Sequence, residues 1–559
     1  MFKPLLKTAV GLAALALAAQ AHTQSAPSGA DKNQFKAHLA FLADDAMEGR
    51  ETGTRGYDIA ANYVASQYMQ LGLLPKGDKQ YMQAVPFKVT RIATDVTPVF
   101  EIRGKDGVQK LTYLEEFIAS GSYTQDESSV TAPLVFVGYG IEAPQFNVND
   151  YKGIDAKGKI VVMMSGGPKN LPSEEGSHFA HNSQKLRSAA MHGAVGVITL
   201  QTPAAERRFK FSAARNFAGR PSMNWTDAKG VAGNDYPNMQ NRVSVSMEAA
   251  KKLFANAPVQ ADALYSMLEE NKPLPNMDMG VSASMSKKSR REDVKSTNVV
   301  GMIEGSDPVL KNEFVVFSAH LDHLGVRERM APPAAANGAA PAAPAAPADT
   351  IFNGAMDNAS GIATLLETAR MFQNMKVKPK RSILFVALTA EEKGLLGSDF
   401  FAQNPTVPVK SMVANINLDM PLLTYDFSNV VAFGAEHSSL KQNAMNALGK
   451  LKLSLIADPF PEQGIFTRSD HYNFVKQGVP SIFLATGMGS FNKNENPKQL
   501  WDEFMGKIYH KANDDLSLPF NFDAAVRFVD VNYMIGLEVA NAKERPTWNK
   551  GNFFGDTFR

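Results

Sequence analysis

The sequence predicts an α/β protein: a doubly wound, mixed and mostly parallel sheet flanked by helices, with a smaller β-rich unit inserted early in the chain. Three observations carry this. After Ser296 the chain alternates between β-rich runs and helical periodicity, the pattern of a sheet covered on both faces. Before it lies a stretch of different character, read as strand, strand, helix, strand. Residues able to hold metal fall just beyond the ends of several β-rich runs, where such sheets collect their ligands.

Taken in order, Lys3 and Lys7 precede an apolar run from Ala9 to Ala19 and the small-residue step Ala19-Gln20-Ala21. That is the order of a secretory signal, with cleavage expected after Ala21. A run of about 11 apolar residues is too short to span a bilayer, and no later segment reaches about 18. The mature chain is therefore expected to have no membrane span and to be periplasmic or extracellular. Gln34 to Leu42 and Gly56 to Leu74 have helical spacing, with the loop Gly49 to Gly56 between them. Next come strand-like Leu134 to Val137 and Lys159 to Met164, a helical Gln184 to His192, and strand-like Gly193 to Leu200.

The alternating part then runs through strands Asn298 to Ile303 and Phe314 to Ser318, a helix Ser360 to Phe372, and strands Ser382 to Leu388, Val413 to Leu418, Val430 to Phe433 and Val479 to Leu484. An alanine- and proline-rich segment, 331–348, interrupts it and reads as an exposed loop over the mouth of any site at that edge. The expected boundaries are a signal at 1–21, a first part of the large domain at 30–115, the insert at 116–285, and the remainder of the large domain at 286–559.

Composition narrows the function. A chain of 559 residues exceeds one ordinary core, and the prior is roughly three domains of about 150 residues. A net charge of +2 leaves no electrostatic footprint for nucleic acid. The absence of cysteine removes thiol catalysis and disulfides, so an exported fold of this size must rest on its core and on any bound metal.

The chemistry lies in five short segments: Ser318-Ala319-His320-Leu321-Asp322, Gly354-Ala355-Met356-Asp357-Asn358, Thr389-Ala390-Glu391-Glu392, Asn417-Leu418-Asp419 and Ile508-Tyr509-His510. Two histidines and three carboxylates, with one glutamate to spare, make the inventory of a two-zinc hydrolase. Asp357, Glu392 and Asp419 supply three negative charges against four on two Zn²⁺ ions, and a bridging hydroxide completes neutrality. Mixed imidazole and carboxylate donors suit zinc better than magnesium, calcium or a structural thiolate site.

These segments resemble the secreted di-zinc aminopeptidase family of peptidase clan MH, which also includes glutamate carboxypeptidases and glutaminyl cyclases. The similar runs are Ser318 to Gly325, Asn353 to Gly361, Ala390 to Ser398 and Asn417 to Met420, in the family's order. The loop Gly49 to Gly56 resembles that family's N-terminal region, and residues from about 130 to 285 its inserted protease-associated domain.

The resemblance implies a zinc-exopeptidase fold, of the phosphorylase/hydrolase-like type, and two zinc ions bridged by Asp357. His320 and Asp419 would complete one site, Glu392 and His510 the other. Glu391 would be the general base and Asp322 the carboxylate orienting a ligand imidazole. The implied reaction is hydrolysis of peptides by a metal-activated water. At His510 the chain departs from the family, continuing Lys511-Ala512-Asn513-Asp514 where Thr or Ser and a proline are usual.

His471, in Arg468-Ser469-Asp470-His471, is the rival last ligand or a wall of the substrate pocket. His323 is expected to be a structural partner, and His178, His181, His192 and His437 to lie at the surface or in the core. Tyr425, Asp426 and the loop Thr486 to Ser490 are further candidates for substrate contact. Of the activities on this scaffold, aminopeptidase is favoured, because Arg468 is the only obvious arginine near the motifs to grip a substrate carboxylate. A carboxypeptidase or dipeptidase is the alternative; a one-zinc glutaminyl cyclase or a binding protein fits a complete ligand set less well.

Overall fold

The computed structural model describes residues 29–214, 218–233, 235–236, 238–327 and 349–558. The expected signal peptide and the 331–348 loop lie outside them. Among the described residues, no helix is long and apolar enough to cross a membrane.

Strands Ser382–Leu388, Phe314–His320, Met412–Leu418 and Ser481–Thr486 pair in parallel, in that order, at the centre of the large sheet. All four are buried along their whole length, which is why they read as unbroken apolar runs rather than alternating ones. Successive side chains point to opposite faces. Val315, Phe317 and Ala319 thus join one core with helices Lys32–Leu42, Arg55–Leu71, Ser360–Gln373, Leu440–Lys450 and Phe522–Asn541. Phe314 and Val316 join another with Phe401 and Phe474 from helices Leu396–Gln403 and His471–Val475. Antiparallel strands extend the sheet on both sides: Asn276–Ile303, Met82–Ile92 and Ser222–Trp225 on one, Asn429–Phe433 on the other. The architecture is the expected α/β class, mixed, with its parallel run at the centre.

A second sheet has its own cores. Its parallel strands Glu127–Val137, Ile160–Met164, Gly196–Leu200 and Asn241–Val245 are edged by antiparallel ones. Three details depart from the expected boundaries. Val99–Gly104 and Gly107–Lys110 belong to this second sheet, not to the large one. The 28-residue strand Asn276–Ile303 runs straight through the expected junction near 285. It pairs with Val99–Gly104 at Ser282 to Ser286 and with Met82–Ile92 at Ser289 to Val299. Conversely, Ser222–Trp225 lies within the expected insert yet pairs with the large sheet, and the Trp225 indole donates to Asp399 at 2.7 Å.

Candidate metal centre

Three of the four central parallel strands deliver a ligand at their carboxyl ends. His320 is the last residue of its strand, Asp419 follows Met412–Leu418 directly, and Glu391 and Glu392 follow Ser382–Leu388 after two residues. Adjacent parallel strands end side by side, so residues about 70 to 100 apart in sequence converge on one edge. His320 Nε2 lies 3.1 Å from Asp419 Oδ1 and 3.2 Å from Asp357 Oδ1. The other Asp357 oxygen, Oδ2, lies 3.3 Å from His510 Nε2, which is 3.2 Å from Glu392 Oε2. Asp357 therefore stands between two donor groups, one oxygen facing each. Glu391 stays outside both pairings, its carboxylate 4.0 Å from His320.

The loops carrying these groups are held by buried polar side chains. Asn358 donates to the carbonyls of His320 at 3.2 Å and Leu418 at 2.9 Å, while its oxygen accepts from Gly361 and Met420 at 3.0 Å. A Cβ at Gly361 would overlap that oxygen, which requires glycine there. Asp514 accepts from the amides of Met356 at 2.8 Å and Asp357 at 3.0 Å. Thus the stretch after His510 that departs from the family pattern positions the bridging aspartate. Arg50, fully enclosed, donates to the carbonyls of Leu321, Asn353, Gly354 and Leu42, pinning the His320 and Asp357 loops together.

Asp322 departs from its expected role. Its carboxylate accepts from the amides of Glu391 at 3.0 Å and Glu392 at 3.3 Å and from the Thr52 hydroxyl at 3.2 Å. The His320 ring is instead oriented by the main-chain oxygen of Asp322, 3.1 Å from Nδ1, with the carboxylate 4.0 Å away. Donation from Nδ1 leaves Nε2 free to face the carboxylates.

Two histidines approach Glu392. Buried His323 has Nδ1 at 2.7 Å from Oε1 but 4.0 Å from Asp357, whereas His510 reaches both carboxylates about equally. Sets of three close donors can be drawn with either member: His320, Glu391 and Asp419, and His323, Asp357 and Glu392. Of the two, only His510 lies within 3.3 Å of both carboxylates, while His323 Nδ1 and Glu392 Oε1, close as they are, form no hydrogen bond with each other.

The electrostatics of the donor set favour bound cations. Burial pushes the Glu391 carboxyl well above the usual range; His320 opposes this, while Asp419, Glu392 and Asp470 reinforce it. Burial would lower His510, but Asp357 and Glu392 outweigh it and raise the imidazole to about 10. Burial, with Asp419 and Asp322 nearby, pushes Asp470 up to about 7 against the pull of His320. Four carboxylates closing on three imidazoles in a buried place are costly without cations. Mixed nitrogen and oxygen donors in two groups sharing one carboxylate fit two transition-metal ions such as zinc.

Beside the donors lies a mostly apolar pocket, walled by Met420, Phe433, Ile465, Phe483, Trp501 and Tyr509 and rimmed by Arg468. Of the expected pocket residues only Arg468 lines it. His471 is buried between Phe466 and Phe483 and belongs neither to the pocket lining nor to either group of close donors; burial drops its pKa to about 3. The Tyr425 hydroxyl is spent on the Gly487 carbonyl at 2.6 Å, and Asp426 pairs with Arg527. The aromatic wall was invisible in the motifs; only Tyr509, beside His510, had a local signal.

Residues 298–534 match Peptidase family M28. That match takes in every donor named above, from His320 to His510. Aminopeptidase Y of Saccharomyces cerevisiae is 24% identical over 296 residues, 52% of this chain and 44% of that protein. A probable leucine aminopeptidase 2 of Aspergillus oryzae is 24% identical over 311 residues, 54% of this chain and 56% of that one. The chain thus spans about half the length of these relatives. An aminopeptidase from Aneurinibacillus sp. strain AM-1 shares the fold, with a TM-score of 0.50 at 19% identity, covering 92% of this chain and 95% of that one.

Proposed function

We propose that this chain is an exported, two-zinc aminopeptidase of the M28 family that removes N-terminal residues from peptides. The observation that carries the proposal is Asp357, one oxygen facing His320 and Asp419 and the other facing His510 and Glu392, with Glu391 left unpaired beside them. Relatives named aminopeptidases support the same class, and one named a probable zinc metalloprotease, from Pyrenophora teres f. teres, is 37% identical over 128 residues, 23% of each chain. The expectation of export rests on the N-terminal segment alone. His320, Asp357, Asp419, Glu392 and His510 would hold the metals, with His323 behind Glu392.

Zinc bound there would polarise the scissile carbonyl and acidify a water. Glu391, its pKa raised by burial and by its acidic neighbours, takes the proton of the attacking water and returns it to the leaving amine. Asp322 keeps that carboxylate aimed by fixing the amides of residues 391 and 392. The apolar pocket receives the side chain of the first residue, and the excess of carboxylates nearby favours a free α-ammonium group. Arg468 at the rim is the one observation favouring the alternative, a carboxypeptidase that grips a terminal carboxylate.

The deciding experiment incubates the zinc-loaded mature chain with a peptide library, beside the same library with blocked N-termini. Stepwise loss of N-terminal residues only from free peptides is expected. Loss from C-termini would establish the alternative, and no cleavage of either library would exclude both.

A further inference from the structure

The first-residue pocket is lined by the large domain, but part of its wall is backed by another unit. That wall includes Gln463 and Ile465, from the short turns Pro461–Gln463 and Ile465–Thr467, and Arg468, which follows the second turn. From outside, these turns meet helix Ser173–Ala180 of the second-sheet unit. The Ser173 hydroxyl donates to the Pro461 carbonyl. Gly464, at φ 58°, faces Ser177 so closely that a Cβ would overlap the serine oxygen. On either side, His178 bonds the Tyr472 hydroxyl and Glu174 pairs with His437. Phe179 and Phe553 pack with ring centroids 5.4 Å apart.

The apolar cluster behind these turns contains Phe466, Phe433, Phe483 and Ala485, and the last three also line the pocket. On the inner side, Ser469 donates to Asp419, a metal-facing carboxylate, and Phe460 stacks on Trp501, a pocket wall, at 5.8 Å and 16°.

We propose that helix Ser173–Ala180 is the outer buttress of the first-residue pocket, and that through residues 461–468 it determines how large an apolar side chain the pocket admits. The substrates so selected are peptides beginning with a bulky apolar residue. Ser173 and Ser177 act as positioning residues, since neither touches the pocket. The inference rests on the aminopeptidase reading for its substrate class, but the mechanical link does not.

The test uses the full mature chain, zinc-loaded, with Ser177→Leu, which must push Gly464 towards the pocket, and Ser173→Ala, which only releases Pro461. Kinetics on phenylalanyl, leucyl and alanyl p-nitroanilides are read beside ¹⁹F spectra of fluorotryptophan-labelled protein. The chain has three tryptophans, and Trp501→Phe assigns the reporter. For Ser177→Leu the kcat/KM ratio of phenylalanyl to alanyl substrate is expected to fall at least about tenfold, through KM rather than kcat. Ser173→Ala should move the ratio about twofold or more, and both should shift the Trp501 signal with metal content unchanged. An unchanged ratio with an unmoved Trp501 signal overturns the proposal. If the wild type cleaves none of the anilides, the aminopeptidase reading fails, and the Trp501 signal alone then upholds or overturns the buttress.

Discussion

Glu391 and Asp322 divide the work that a motif reading assigns to the site as one unit. The Glu391 carboxylate meets His320 only at 4.0 Å, beyond hydrogen-bond distance, so Glu391→Gln should lower kcat by about 10³-fold or more while metal analysis still finds both ions; retained turnover or lost metal would refute its role as base. Asp322 holds two main-chain amides and a hydroxyl. Asp322→Ala should therefore cost about 1 to 3 kcal/mol of stability, because buried donors lose their acceptor, and lower kcat more than it raises KM. Arg50 offers the clearest purely structural residue. Its guanidinium satisfies four carbonyls, so Arg50→Met should destabilise the fold by more than about 3 kcal/mol in chemical denaturation.

At the scale of single elements, burial of charge shapes the response to pH. Lys185, on helix Asn182–Met191, is enclosed and donates to the carbonyls of Met164 at 2.6 Å and Gly166 at 2.9 Å. Burial lowers its pKa from 10.5 to about 7. The folded state thus disfavours the charged form, and below pH 7 the whole penalty is present. As pH rises from about 7 towards 10.5 the folded state sheds its proton before the unfolded chain does, and stability rises. Lys287 is lowered to about 7 by burial in the same direction. Unfolding free energy of the metal-loaded protein should therefore climb between pH 7 and 9, by up to about 1.4 kcal/mol per pH unit for each lysine. Lys185→Met should remove its share of the slope, and a flat profile in the wild type would contradict this burial argument.

For the whole molecule, the metal centre joins three parallel strands, the helix start at Ser360, the loop around Arg50 and the segment around His510, so metal should act as a global clamp. Stripping it with a chelator leaves buried carboxylates facing one another and should lower stability by about 3 kcal/mol or more, seen as a fall in Tm that zinc restores. The sequence by itself determined the α/β class and the central strands, and it named a donor set of which His320, Glu391, Glu392 and Asp419 close apolar runs while Asp357 and His510 do not. Burial on both faces makes such runs legible without any tertiary information. It did not reveal helix Phe522–Asn541, the double duty of strand Asn276–Ile303, or the strands that cross the expected unit boundaries. These depend on which distant segment supplies the pairing, and no local pattern encodes that. Likewise, only the tertiary structure decided that His471 is core, that the Asp322 carboxylate serves the glutamate loop, and that the pocket is walled by Phe433, Phe483 and Trp501 and braced by a helix from another unit. A ligand motif is chemistry concentrated in a few neighbouring residues, whereas a pocket wall is one side chain from each of several segments that only packing brings together.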